Sequence, residues 1–193
     1  MNLRNYPLVK LNKRNFLLSI YPNWHTRLFP ESKLRYENPS NIKDVTHTNS
    51  IEKVYLTKMS GTESLRPGDN LLIYRTSDGQ GPAKYRSAAT SVCVVREVLD
   101  IQTFSNFEEF RKYCEPYSVF RTDELEELYK NKNYPIMIRF TYNFPIIKKV
   151  IRNDIMRITG YTDTDYWGFL PIQDHHFKEI LKLGGVNESF IID

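Results

Sequence analysis

Residues 88–101 run without glycine or proline through Thr90, Val92, Val94, Val95 and Val98, β-branched residues that suit a pleated surface. A strand of that length must twist, and it is long enough to bend across a barrel. Other segments read the same way. Residues 15–21 are aromatic and aliphatic and stop at Pro22. Residues 70–75 follow the turn Leu65-Arg66-Pro67-Gly68-Asp69, in which proline sets φ at the first corner and glycine supplies a positive φ at the second. In residues 134–142, Met137, Arg139 and Thr141 alternate with Ile136, Ile138 and Phe140.

Short helical segments are interspersed. Pro22 fits the first turn of a helix over 23–29, closed by Pro30. Ile51, Val54 and Tyr55 stand at i, i+3 and i+4 behind Asn49 or Ser50, with Glu52 early and Lys58 late, which predicts a helix; Val54-Tyr55-Leu56 also reads as a strand. Further helices are expected at 106–114, at 122–130, at 146–150 behind Pro145, and from Asp174 to the stop at Gly184-Gly185. Residues 31–47, 76–84 and 160–173 read as loops. Strands and helices in this irregular order predict an α+β fold, a small mixed β-barrel with peripheral helices. The length of 193 residues suits one domain, with its core at about 15–145 and the loop and helix of 160–193 packed on it.

Several classes are excluded. No apolar run approaches the ~20 residues of a membrane span, and the N-terminal residues lack the pattern of a secretory signal, so a cytoplasmic address is expected. Cys93 and Cys114 are expected in the core. Gly79-Gln80-Gly81 lacks the following helix start that a phosphate loop requires. The adjacent His175 and His176, like the isolated His25 and His47, have no metal-binding spacing, and no cofactor is expected.

Rings are abundant: 13 Tyr, 11 Phe and 2 Trp against only 8 Gly. Tyrosine and tryptophan serve surfaces that are apolar on one side and hydrogen-bonding on the other, among them pockets that stack bases. Charge is unevenly placed. The first sixty residues hold ten Lys/Arg against four Asp/Glu, and residues 136–160 hold five against one, so a fold that joined these stretches would make a positive face. His25 lies beside Trp24 and Arg27, and His47 precedes Asn49 and Lys53; such a cluster suits reading a base edge or a phosphate, or cleaving RNA.

Four pieces in order resemble a known domain. They are Leu17 to Pro30 through Tyr21-Pro22-Asn23-Trp24-His25, then His47-Thr48-Asn49-Ser50 with the following Lys53-Val54-Tyr55-Leu56, then the Pro67-Gly68-Asp69 turn with the strand ending Tyr74-Arg75, and finally Val94-Val95-Arg96-Glu97-Val98. The set resembles a PUA-like domain related to the EVE and ASCH branches, closest to the variant fused to bacterial acetyltransferases of toxin-like proteins. The Arg121-Thr122 pair before an acidic helix fits that variant, whereas the Gly-x-Lys-x-x-Glu-x-Arg signature of the ASCH branch has only an echo in Glu31 to Glu37. The resemblance implies a groove for RNA or modified DNA bases, and an acetyltransferase or toxin-type protein as a partner.

The expected function is therefore a nucleic-acid-binding module that recognises RNA or a modified, flipped base in an aromatic, basic groove. Its expected residues are Trp24, His25, Arg27, His47, Asn49, Lys53, Tyr55, Tyr74, Arg75 and Arg121. One alternative is a small ribonuclease using His25 or His47 as base and Lys53 or Arg121 for phosphate charge. Another is a protein-interaction module of a toxin-type system, with Tyr166-Trp167-Gly168-Phe169 as its exposed hot spot.

Overall fold

A computed structural model describes residues 6–32, 34 and 50–192. In chain order the elements are β1 (Val9–Lys10), β2 (Asn15–Ile20), α1 (Pro22–Leu28), β3 (Glu52–Thr57), β4 (Asn70–Arg75), α2 (Ala83–Arg86), β5 (Ala88–Asp100), α3 (Phe107–Cys114), α4 (Thr122–Asn131), β6 (Ile136–Ile151), α5 (Arg152–Thr159), β7 (Phe169–Ile172), α6 (Asp174–Leu183) and β8 (Ile191–Ile192). Six strands form one sheet in the order β3-β6-β5-β4-β2-β7, and β1 pairs with β8 separately. β2 runs parallel to β4 and the sheet's other pairs are antiparallel, so the α+β class and the mixed sheet stand as expected.

The sheet is strongly curved. Tyr55 from β3 and Phe169 from β7, the two ends of the strand order, share one buried cluster with Leu18, Ile73, Cys93 and Phe140 from the strands between. Leu28 and Phe29, at the end of α1 and just beyond it, join the same cluster. The outer face carries two separate clusters. Ile155 of α5 and Phe177, Ile180 and Leu181 of α6 cover Leu72, Val92 and Phe144; Phe110 of α3 and Leu125 of α4 cover Val54, Leu56 and Met137. β5 and β6 are long enough to reach both, and register shifts at Ala89/Ser91, Val92/Cys93 and Val95/Glu97 let them bend. Gly68 has φ 95°, the positive value its turn requires, and both cysteines are buried.

Three expectations on secondary structure are corrected. Residues 52–57 are a strand, because its period places Val54 and Leu56 under α3 and α4 and turns Tyr55 to the inner cluster. The helical reading depended on Ile51, which is exposed. β6 continues through Pro145 to Ile151 in place of a helix at 146–150; the proline falls at a bulged stretch of the ladder, where its missing N–H costs little. Helix α5, not expected, follows at once and ends on Gly160 at φ 77°. Within the expected loop 160–173, Phe169–Ile172 pairs with β2 as an edge strand that tolerates Pro171.

Candidate nucleic-acid interface

A cavity of about 610 Å³ opens beside α1, between the end of β3 and the segment leading into β7. Among the described residues seven rings line it: Tyr21, Trp24, Tyr55, Phe120, Tyr134, Tyr166 and Trp167. These are supplied by distant segments that the curled sheet draws together. The chain's two tryptophans are both in this lining. Among the described residues the lining contains no carboxylate, and its one cation is the exposed Lys58, whose ammonium lies 5.5 Å from the centre of the Tyr134 ring.

Each tryptophan is held from behind. Trp24 packs on Phe120 with ring centres 4.8 Å apart, and the Arg27 guanidinium stands 4.8 Å from its ring centre. Arg27 is held in turn by Glu124, to which it donates at 2.9 and 2.7 Å, and by the Val119 carbonyl. Trp167 packs against Tyr74 and Tyr161, donates from Nε1 to the Thr162 carbonyl at 2.7 Å, and carries the Arg152 guanidinium 4.3 Å from its ring centre. Arg152 pairs with Asp163 at 3.2 Å. Ser19 donates its hydroxyl to the Trp167 carbonyl. Such cation–π and hydrogen-bonded contacts fix the planes of the two rings.

Hydroxyls supply the polar part. The Tyr55 hydroxyl makes no hydrogen bond among the described residues, and burial, with Tyr21 and Tyr134 nearby, pushes its pKa well above the usual tyrosine value. Tyr21 and Tyr166 stand 67% and 56% exposed and flank the opening. A Cβ on Gly168 would lie 2.5 Å from Tyr166 Cζ, so glycine is what lets that ring close on the backbone.

Of the ten residues expected from the sequence, Trp24 and Tyr55 line this cavity. His25, next to Trp24 on α1, points the other way: it is fully buried, with Nε2 2.7 Å from Thr90 Oγ1. Burial, reinforced by the charges of Arg75 and Lys149, pulls its pKa down to about 3, so it stays neutral at physiological pH and out of reach of a substrate. Arg75 is buried at the end of β4 and donates to the Thr76 carbonyl at 3.2 Å. Lys53 is buried in a smaller pocket of about 150 Å³ with Tyr6, Phe29 and Tyr142, where burial lowers its ammonium to about 8. Tyr74 is in the outer core, 2.5 Å from Ser87 Oγ. Arg27 buttresses Trp24, and Arg121 is exposed and paired with Asp123 at 2.7 Å. His47 and Asn49 lie outside the described residues.

The two basic stretches do meet, along the β3–β6 ladder, but Arg139 there pairs with Glu52 at 3.3 Å and Glu97 at 3.1 Å. In the 166–169 segment Trp167 and Phe169 are buried and only Tyr166 presents a ring to solvent. Of the lining residues missed by the sequence reading, Tyr134 heads a segment read as an ordinary strand and Phe120 lies between two expected helices, with no local motif to mark either.

The curled mixed sheet is similar to that of solved ASCH-domain structures. Solved structures show the same fold. A hypothetical protein from Leishmania major aligns with a TM-score of 0.53 at 12% identity, over 90% of this chain and 96% of its own. Two single-substitution variants of the ASCH protein from Zymomonas mobilis align with TM-scores of 0.52 and 0.51 at 10% and 9% identity, over 89% of this chain and 97% and 99% of theirs. No family model matches the chain, and no curated protein matches it at a significant level. Among the described residues no helix is long and apolar enough to cross a membrane.

Proposed function

We propose that this chain is a nucleic-acid-binding module whose aromatic cavity receives unstacked bases of RNA or of a strand carrying a modified base. The observation that carries the reading is the cavity itself: about 610 Å³, walled by both tryptophans and five other rings, with no carboxylate among the described residues of its lining. Bases are π-faced and rimmed by donors and acceptors, so they suit rings for stacking and hydroxyls for their edges. Described lining residues without a carboxylate avoid repelling the phosphates that arrive with the base, and Lys58 at the opening attracts them. The buried, neutral His25 offers no acid–base group to a bound strand, which favours binding over cleavage.

The test is a titration of the protein with single-stranded RNA and DNA oligonucleotides, with and without base modifications, followed by intrinsic tryptophan fluorescence at two salt concentrations. Quenching that weakens as salt rises is expected. Trp24→Ala is expected to lower affinity about tenfold, the scale of one lost base–aromatic stack. If no RNA or DNA changes the fluorescence or binds by an independent assay, the reading fails.

A further inference from the structure

Resting on that reading, we infer that the ligand is a base carried within a single strand, and that a nucleotide next to the captured base stacks outside the cavity on the exposed ring of Tyr166, with Tyr21 beside it. Gly168 points to this. It has no positive φ that would call for glycine, and the nearest atoms a Cβ there would meet all belong to the Tyr166 ring, at 2.5 to 2.9 Å. The missing side chain therefore lets the phenol end of Tyr166 lie against the backbone, which sets a ring at the mouth of the cavity while leaving it 56% exposed. Tyr21, 67% exposed, reaches the same mouth. Leu18 pairs with Phe169 and the Ser19 N–H donates to the Gly168 carbonyl at 2.9 Å, so the segments carrying the two tyrosines leave the sheet side by side. Among the described residues neither ring stacks on another, so both keep surface for a planar group, which the buried Trp167 does not. Tyr21, Tyr134 and Tyr166 are three of the seven exposed large apolar side chains among the described residues, so this surface is gathered at one mouth and not scattered. Continuity with the cavity names its occupant: the nucleotide adjoining a base already inside, with Lys58 at the same opening for the linking phosphate.

The test compares a trinucleotide with the same strand made abasic at its first or at its third position, which keeps the phosphate charge and the central base constant. Removing one of these flanking bases is expected to weaken binding to the wild-type chain about tenfold. That ratio is expected to fall to near one in Tyr166→Ala and to persist in Tyr166→Phe, which keeps the ring. Taking the ratio within each variant cancels any general loss of affinity. Should Tyr166→Ala misfold, 2-aminopurine at the flanking position reports on the wild-type chain directly, and quenching of its fluorescence on binding is expected. Equal affinity for the complete and both abasic strands, an unquenched flanking 2-aminopurine, or a tenfold ratio that survives Tyr166→Ala overturns the inference while nucleic-acid binding stands. If no strand binds, complete or abasic, both readings fall together.

Discussion

Trp24 and His25 are adjacent on one helix and belong to two different regions of the molecule. Trp24 lines an open cavity, whereas His25 is sealed in an interior that also holds Thr90, Arg75 and the Lys149 ammonium, which donates to the Thr90 carbonyl at 3.2 Å. Both residues are of types that do chemistry on nucleic acids. What separates them is access to solvent: the half-buried Trp24 ring reaches the cavity, whereas burial takes from the imidazole the titration near neutrality that makes histidine useful. The closed polar region should therefore govern stability and the open aromatic one ligand affinity.

The sharpest break between the two would come from His25. His25→Ala removes a fully buried ring and its contact with Thr90, and should cost about 3 kcal/mol in denaturant unfolding while leaving the cavity lining in place. A loss of oligonucleotide affinity in a folded His25 variant would merge the two regions. The same residue sets a pH signature. Its ordinary pKa of 6.5 falls to about 3 in the fold, so between those values the unfolded chain binds a proton that the folded chain refuses. Its contribution is complete above pH 6.5 and is lost as pH falls toward 3, at about 1.4 kcal/mol per unit. Unfolding measured at pH 7 and pH 5 should thus differ by about 2 kcal/mol more in the wild type than in His25→Gln.

On the cavity side the effects should be smaller and confined to binding. Tyr55→Phe deletes a hydroxyl that makes no hydrogen bond among the described residues, so stability should hold while affinity for a base read by that hydroxyl drops about fivefold. Equal losses in both measurements would show the hydroxyl to be structural. Gly168→Ala, whose Cβ would sit 2.6 Å from the Tyr166 hydroxyl, should displace that exposed ring and change affinity by less, with near-wild-type unfolding. Smallest of all is Arg121→Ala. The exposed ion pair with Asp123 predicts no measurable change in melting temperature or affinity, and a clear loss of binding would extend the interface beyond the cavity.

Much of this fold was legible from local signals. The β-branched run of β5, the proline-glycine turn before β4 and the proline at the head of α1 each act within a few residues, and each element formed where its signal lay. The errors fall where a neighbour decided the outcome. Glu52–Thr57 carries letters that fit a helix or a strand, and pairing with Thr141–Ile136 of β6 settled it. Ile136–Ile151 outran its local cues because β5 accompanies it through Pro145. At the site, Trp24, Tyr55 and the Tyr166-Trp167 segment could be singled out by residue type, but Phe120 and Tyr134 could not, because they come from segments far from the others in the chain.

The long β-branched strand, the abundance of rings and the shortage of glycine already specified a curved α+β fold with more aromatic surface than a small core needs. Only the tertiary structure decided which rings would meet at the cavity. A sheet whose two ends share one cluster draws Tyr55, Trp24 and Trp167 around a common space, and the same curvature buries His25, Lys53 and Arg75. Side-chain direction along a strand or helix is local, but whether that direction meets solvent or another layer depends on contacts between residues distant in sequence.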